Sequence, residues 1–197
     1  KIGSVSLNVQ ANGRMDASKQ FYFNLNGLIH SILYNNYNYQ NINIDGELTN
    51  KTFNGNLSVN DNNIQMDFRG EMNFTDTVPV FKYSADVKHA NLFRLNFDKK
   101  DTSASVAFQS TADFVGNNID NIKGEINLLN STIRKNNKQI EINNLLLFTQ
   151  TVNDTNRIIL RSSFADAEVW GTYKFNELVP SLKYLANNYL PSVVKDT

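Results

Sequence analysis

Strict alternation of polar and apolar residues is the feature of this chain that most restricts its fold. The clearest run is 64–74, IQMDFRGEMNF, in which every even position is apolar or glycine and every odd position is polar. A period of two places the two sets on opposite faces of a β-strand. The pattern recurs along the chain and predicts about ten one-sided strands. Their short connections favour antiparallel pairing over parallel crossovers.

Glycines fall repeatedly in the apolar register of these strands. Gly46, Gly55, Gly70, Gly124 and Gly171 each alternate with large apolar residues. A glycine inside a strand marks a bend, a bulge or a close approach by another group. Repetition on one face favours a sheet that curls toward that face. We therefore expect an all-β fold built as an elongated, curled antiparallel β-sheet (a β-taco, or open groove).

The apolar register also supplies the candidate site residues, which we expect to face the interior of the curl. They are Ile42, Ile44, Leu48, Phe53, Leu57, Val59, Ile64, Met66, Phe68, Met72, Phe74, Ile126, Leu128, Val169, Tyr173 and Phe175. An apolar sheet face has to meet another apolar surface. The sheet could fold on itself as a sandwich, close as a barrel, or stay a groove for lipid or another apolar guest. In the first two cases the same residues form a dry core.

The end of the chain changes period. Asn176 can cap a helix, and apolar residues then recur at helical spacing over 178–189, before Pro191 ends the pattern. The sequence thus divides into a curled sheet segment over 1–175 and an amphipathic helix over 176–195. We expect this helix to cap or line the groove.

Composition narrows the classes of function. The chain has 197 residues, no cysteine and a net charge of +0. This balance argues against a nucleic-acid partner and against a basic patch for membrane surfaces. The longest purely apolar stretch, 145–148, is too short to span a bilayer. Because the chain opens on Lys1, we expect a mature piece or internal segment whose membrane anchor lies outside it.

Residues that carry catalysis or bind metals are sparse. His30 and His89 have no second histidine or cysteine at ligand spacing, and acidic residues alternate outward on the strands. No glycine-rich phosphate loop, nucleophile elbow or metalloprotease motif is present. The sequence therefore predicts no catalytic residues, no metal site, no cofactor and no enzymatic activity.

Two rival functions follow from other features. Tyr34, Tyr37 and Tyr39 beside many asparagines suggest a sugar-binding platform on a surface carbohydrate-binding or adhesin-like β-sandwich. The plainer alternative is a turn whose rings partly pack. A further hypothesis is a structural β-scaffold that binds partner proteins by strand addition at an exposed edge.

From about residue 40 to 195, the order and spacing of several short motifs resemble the TamB family in its Bacteroidetes-type form. In chain order they are DGEL at 45–48, FNG at 53–55, FRG at 68–70, FKYSADV at 81–87, ANL at 90–92, GNNIDNIKG at 116–124, LRSSFADA at 160–167 and GTYKF at 171–175. Each motif is a common hairpin pattern by itself, so the resemblance depends on the order and spacing of the motifs over about 150 residues.

The resemblance implies a function as well as a fold. TamB-like proteins belong with the AsmA-like, bridge-like lipid transfer proteins, which are anchored in the inner membrane of Gram-negative bacteria and span the periplasm. They partner with an outer-membrane barrel of the TamA or TamL type. By this resemblance we expect an internal segment whose apolar groove carries phospholipid acyl chains between the two membranes and supports outer-membrane protein assembly.

Overall fold

A computed structural model describes residues 2–17, 20–118, 120–153, 155–172, 174, 177, 180, 181 and 184. The described residues form one sheet of eleven antiparallel strands, as the period-two pattern predicts. The strands are β1 (Ile2–Met15), β2 (Phe21–Tyr34), β3 (Tyr37–Thr49), β4 (Thr52–Asn60), β5 (Ile64–Asn73), β6 (Val80–Asn91), β7 (Ser105–Val115), β8 (Lys123–Lys135), β9 (Lys138–Val152), β10 (Thr155–Ser162) and β11 (Asp166–Gly171).

The sheet is a simple meander, in which each strand pairs with the strands before and after it in sequence. Among the described residues, every substantial strand–strand contact joins such neighbours, and β1 and β11 lie at the two edges. The sheet is open and uncurled. The all-β antiparallel prediction is therefore confirmed, whereas the predicted curl is wrong, and the described strands form neither a sandwich nor a barrel.

The glycines in the apolar register are explained by close approach between neighbouring strands and not by a curl. Gly46, Gly55 and Gly70 lie directly opposite one another across β3, β4 and β5. At Gly70 φ is +150°, and a Cβ there would lie 2.3 Å from the carbonyl oxygen of Lys82. A Cβ on Gly46 would lie 3.0 Å from the ring of Phe53. These glycines leave room for neighbouring backbone and for an aromatic ring, which is the alternative role of glycine in a strand.

Asparagine makes the tight turns. All nine described non-glycine residues with positive φ are asparagines. The pairs Asn35–Asn36 and Asn136–Asn137 have positive φ at both positions and join β2 to β3 and β8 to β9. This conformation is the type I′ turn that matches the twist of a hairpin. Some of the asparagines in the chain are therefore explained by the tight turns that they form.

The connection between β6 and β7, residues 92–104, crosses one end of the sheet, and we call it the strap. Its Leu95 is 1% exposed and packs with Val87 and Ala90 of β6. Half-buried side chains from three further strands pack against this cluster: Tyr37, Tyr39, Ile64, Met66, Val106 and Phe108. The strap therefore gives this end of the sheet a small dry core.

The predicted C-terminal helix falls mostly outside the described residues. Within its span, Glu177, Pro180, Ser181 and Tyr184 are helical, and the hydroxyl of Ser181 donates to the carbonyl of Glu177. The predicted division at residue 175 stays a prediction, as does the role of the helix as a cap or lining.

Candidate functional site

Pairing register places the predicted site residues on one face of the sheet. Three cross-strand rows run from β3 through β4 to β5, and residues opposite one another in such rows share a face. The rows are Ile42–Val59–Met66, Ile44–Leu57–Phe68 and Leu48–Phe53–Met72. We call this surface the apolar face.

The remaining predicted residues extend the apolar face across the sheet. Ile64 lies opposite Ala90, Ile126 opposite Ala112, Leu128 opposite Ser110, and Val169 opposite Ile158. Phe74 follows β5, and its ring centroid is 5.6 Å from that of Phe81. Tyr173 and Phe175 lie outside the described residues. The register adds further members that the sequence placed in strands but not in the site: Leu25, Ile29, Tyr83, Ala85, Leu145, Leu147 and Leu160.

The predicted site residues are less buried than the residues of a closed core. Of the predicted site residues, Ile42 and Val59 are buried, at 7% and 8% exposure. The other described ones are half-exposed, and Phe74 is exposed. Among the described residues, the strap is the element that covers the apolar face, and it covers one end of the strands. We call this end the covered end.

Phenylalanine rings pair with one another at the opposite end of the strands, which we call the open end. The Phe81 and Phe114 rings stack at 4.9 Å, and the Phe21 and Phe23 rings stack at 6.2 Å. Phe21, Phe23 and Phe74 are exposed. The rings contact one another sideways along the sheet but have no covering layer within the described residues, so the open end presents apolar surface to solvent.

At the covered end, the carboxylate of Asp61 ties two hairpins together. The Tyr37 hydroxyl donates to it at 2.5 Å, and the backbone N–H groups of Gln40 and Asn63 donate at 3.0 and 2.8 Å. Burial, followed by the bond to Asp61, raises the pKa of Tyr37. Tyr37 and Tyr39 form an edge-on pair at 4.9 Å. These two rings thus belong to a packed cluster, as in the plainer alternative to a sugar platform.

The opposite, polar face contains the clefts. One of about 470 Å³ is lined on this face by Ser58, Asp67, Ser84, Asp86 and Gln109. Lys88 Nζ donates to the carboxylate of Asp67 at 2.9 Å, and the hydroxyl of Ser58 donates to the same carboxylate at 2.8 Å. These bonds, that of Lys88 first, hold the pKa of Asp67 below its ordinary value. Two neighbouring clefts share lining residues with this one. The clefts therefore lie on the face of the sheet opposite the apolar face.

Candidate metal ligands do not cluster in the part of the chain that the structure describes. His30 and His89 are both exposed, and no described group of three or more His, Asp or Glu could hold a metal ion. No helix in the described part of the chain has the length and apolarity to cross a bilayer.

Sequence reasoning missed the strap. Residues 92–104 have no regular period, and the composition of 98–101, DKKD, is typical of an exposed turn. The turn is present, because Asp98 accepts the backbone N–H groups of Lys100 and Asp101. The available signal was the apolar group Leu92, Phe93 and Leu95, which is more than a solvated loop needs.

No protein-family model matches the chain, and comparisons with curated proteins and with solved structures give no significant match.

Proposed function

We propose that this chain is a segment of a TamB-like, envelope-spanning protein and that its apolar face binds phospholipid acyl chains. The observation that carries the proposal is the apolar face itself. It continues across the strands from β1 to β11, while its open end has no cover among the described residues. The sheet supplies an open platform for lipid, in place of the curled, open groove expected from the glycines.

The physical basis is the cost of leaving such a face in water. Each methylene group that moves from water onto an apolar surface contributes about 0.8 kcal/mol. Neighbouring strands repeat every 4.7–4.9 Å or so. An acyl chain lying across the strands therefore finds a similar apolar row at each step, with no charged side chain in its path. Row Ile44–Leu57–Phe68 is one such path.

The wider role rests on the resemblance of the motifs to the TamB family. In this proposal the segment lies in the periplasm of a Gram-negative bacterium, within a protein anchored in the inner membrane. Phospholipid moves along the apolar face between the inner and outer membranes, and a barrel of the TamA or TamL type is the outer-membrane partner. Support for outer-membrane protein assembly belongs to the same proposal. The role needs no catalytic residue, metal or cofactor.

Lipid retention by the purified chain tests the proposal. The chain is expressed in a Gram-negative host, purified without harsh detergent and examined by native mass spectrometry and lipid extraction. Leu57→Asp and Phe68→Asp place a charge on the half-exposed apolar face. We expect bound phospholipid in the unaltered chain and its loss in both variants, because an ionised carboxylate beside acyl chains is strongly unfavourable.

Asn56→Asp is the matched control. Asn56 precedes Leu57 in β4, faces the polar side and is exposed, so the variant adds the same charge to the opposite face. It should keep its lipid, and circular dichroism should show the same strand signal in all variants. A folded chain that carries no lipid, or equal loss in Asn56→Asp and Leu57→Asp, would refute acyl-chain binding at this face.

A further inference from the structure

Five cations gather around the strap, although the whole chain has a net charge of +0. Three come from the strap and two from the tip of the β8–β9 hairpin, and all five residues are exposed. They are Arg94, Lys99, Lys100, Lys135 and Lys138. The segments lie 35 residues apart in sequence, which explains why composition and local charge patterns did not reveal the cluster.

Specific contacts bring the two segments together. Asp101 accepts the backbone N–H of Asn136, and the hydroxyl of Ser103 accepts that of Asn137 at 3.1 Å. Lys135 Nζ lies 3.5 Å from Asp98 Oδ2. Both strap carboxylates are thus bound to neighbouring N–H groups or a lysine. The positive charge of the cluster exceeds the negative charge that the strap supplies.

Two exposed apolar residues lie close to these cations in sequence, Phe97 two residues before Lys99 and Ile140 two residues after Lys138. Phe97 of the strap is 59% exposed, and Ile140 of β9 is 57% exposed. Ile140 lies opposite Ile133, which in turn lies opposite Val106 at the edge of the strap core. More than half of the surface of Phe97 is therefore left in contact with solvent. Phe97 and the five cations form what we call the strap patch.

We propose that the strap patch docks on the surface of an anionic phospholipid bilayer. Clustered lysine and arginine residues are attracted to anionic headgroups, and an exposed aromatic beside them can enter the interface. Charge complementarity favours an anionic bilayer over a zwitterionic one, because a zwitterionic surface offers no net attraction to the five cations. The inference goes beyond acyl-chain binding, since it assigns a separate surface that contacts the membrane from which lipid is taken or to which it is given.

The test measures partitioning of the whole chain onto vesicles by flotation. One set contains phosphatidylcholine alone, and the other contains equal parts of phosphatidylcholine and phosphatidylglycerol. We expect binding to the anionic vesicles that falls as salt is raised, and little binding to the neutral ones. Lys99→Gln with Lys100→Gln should weaken partitioning about 30-fold at low salt, at about fivefold for each lysine. Phe97→Ala should weaken it about tenfold.

The matched control removes two lysines from the opposite end of the strands. Lys51 and Lys123 are exposed and lie near the open end, so Lys51→Gln with Lys123→Gln changes net charge equally. This variant should partition like the unaltered chain. Equal losses in the two double variants, equal binding to both vesicle types, or no binding to either would overturn the proposal. Lipid retention in the native mass spectrum is read separately, and Leu57→Asp should leave vesicle docking intact.

Discussion

The two ends of the apolar face have the same strands and the same alternation, yet only one end is covered. At the covered end the strap places Leu95 on Val87 and Ala90 and makes a small dry core. At the open end Phe81, Phe114 and their neighbours touch ring to ring along the sheet without a second layer in the described part of the chain. Alternation therefore specifies which side chains share a face, whereas a segment without any period decides what covers them.

Because only one end is covered, we expect the covered end to contribute to stability and the open end to bind lipid. Burial at the covered end stabilises the sheet and holds the hairpin tips through Asp61 and Asn35, whose side-chain amide donates to the carbonyls of Leu95 and Asn96 at 3.2 and 3.0 Å. The open end leaves apolar area for a ligand. Substitutions at the covered end should therefore affect stability most, and substitutions at the open end should affect lipid binding most.

The largest effect should come from Leu95→Ala. Removing a fully buried leucine leaves a cavity and should lower the free energy of unfolding by about 4 kcal/mol, as judged from urea denaturation. Phe81→Ala at the open end removes a larger side chain from a half-exposed position and should cost about 1 kcal/mol. Equal costs for the two variants would remove the distinction between the ends.

Asp61→Ala tests the polar tie of the covered end. The substitution leaves three hydrogen-bond donors without their acceptor and should cost about 3 kcal/mol in the same assay. Asp76→Ala, at an exposed loop position near the open end, is the control and should change stability by less than about 0.5 kcal/mol. A cost for Asp61→Ala no greater than the control would show that the tie contributes nothing.

Gly70→Ala tests the middle of the sheet, between the two ends. A Cβ at this position meets the backbone of β6 and φ is +150°, so we expect a loss of about 2 kcal/mol. At Gly13 a Cβ would meet the ring of Phe23 at 3.1 Å and φ needs no glycine. Thermal unfolding of Gly13→Ala should differ by less than about 1 kcal/mol, and a reversed order would contradict the close-approach explanation.

The smallest effect concerns acid pH and the strap. Hydrogen bonds from Ser103 and from the backbone of Asn136 hold the pKa of Asp101 below its ordinary value of 3.8. A depressed folded-state pKa stabilises the fold above the unfolded value, and this contribution is lost as pH falls through the folded-state pKa. Asp101→Asn should therefore lower the melting temperature at neutral pH, and the difference from the unaltered chain should shrink below pH 3.8 or so. A difference independent of pH would mean that the carboxylate charge does not hold the strap.

Local pattern was enough to predict the strands, because residues such as those of 64–74 sort onto two faces whatever the rest of the chain does. It also predicted the shared face of Leu57 and Phe68. The predicted curl was wrong because Gly46, Gly55 and Gly70 fit an uncurled sheet equally well when neighbouring backbone approaches closely.

The strap and its patch depended on contacts that no local pattern contains. Leu95 is buried because its segment crosses to strands distant in sequence, and Lys99 meets the Lys135 region through bonds between Asp101 and the β8–β9 turn. Those bonds depend on the left-handed conformation of Asn136, one of many similar asparagines in the chain. The terminal helix stays a prediction, since it lies mostly outside the described residues.

Paramagnetic broadening of methyl resonances by a spin-labelled fatty acid tests the central claim most directly. The account predicts that methyl signals of Leu48, Leu57 and Met72 on the open apolar face are broadened. Those of Leu95 under the strap and Leu129 on the polar face should stay sharp. Broadening of Leu129 together with Leu57, or no broadening of Leu48, Leu57 and Met72, would contradict the proposal that the apolar face binds acyl chains.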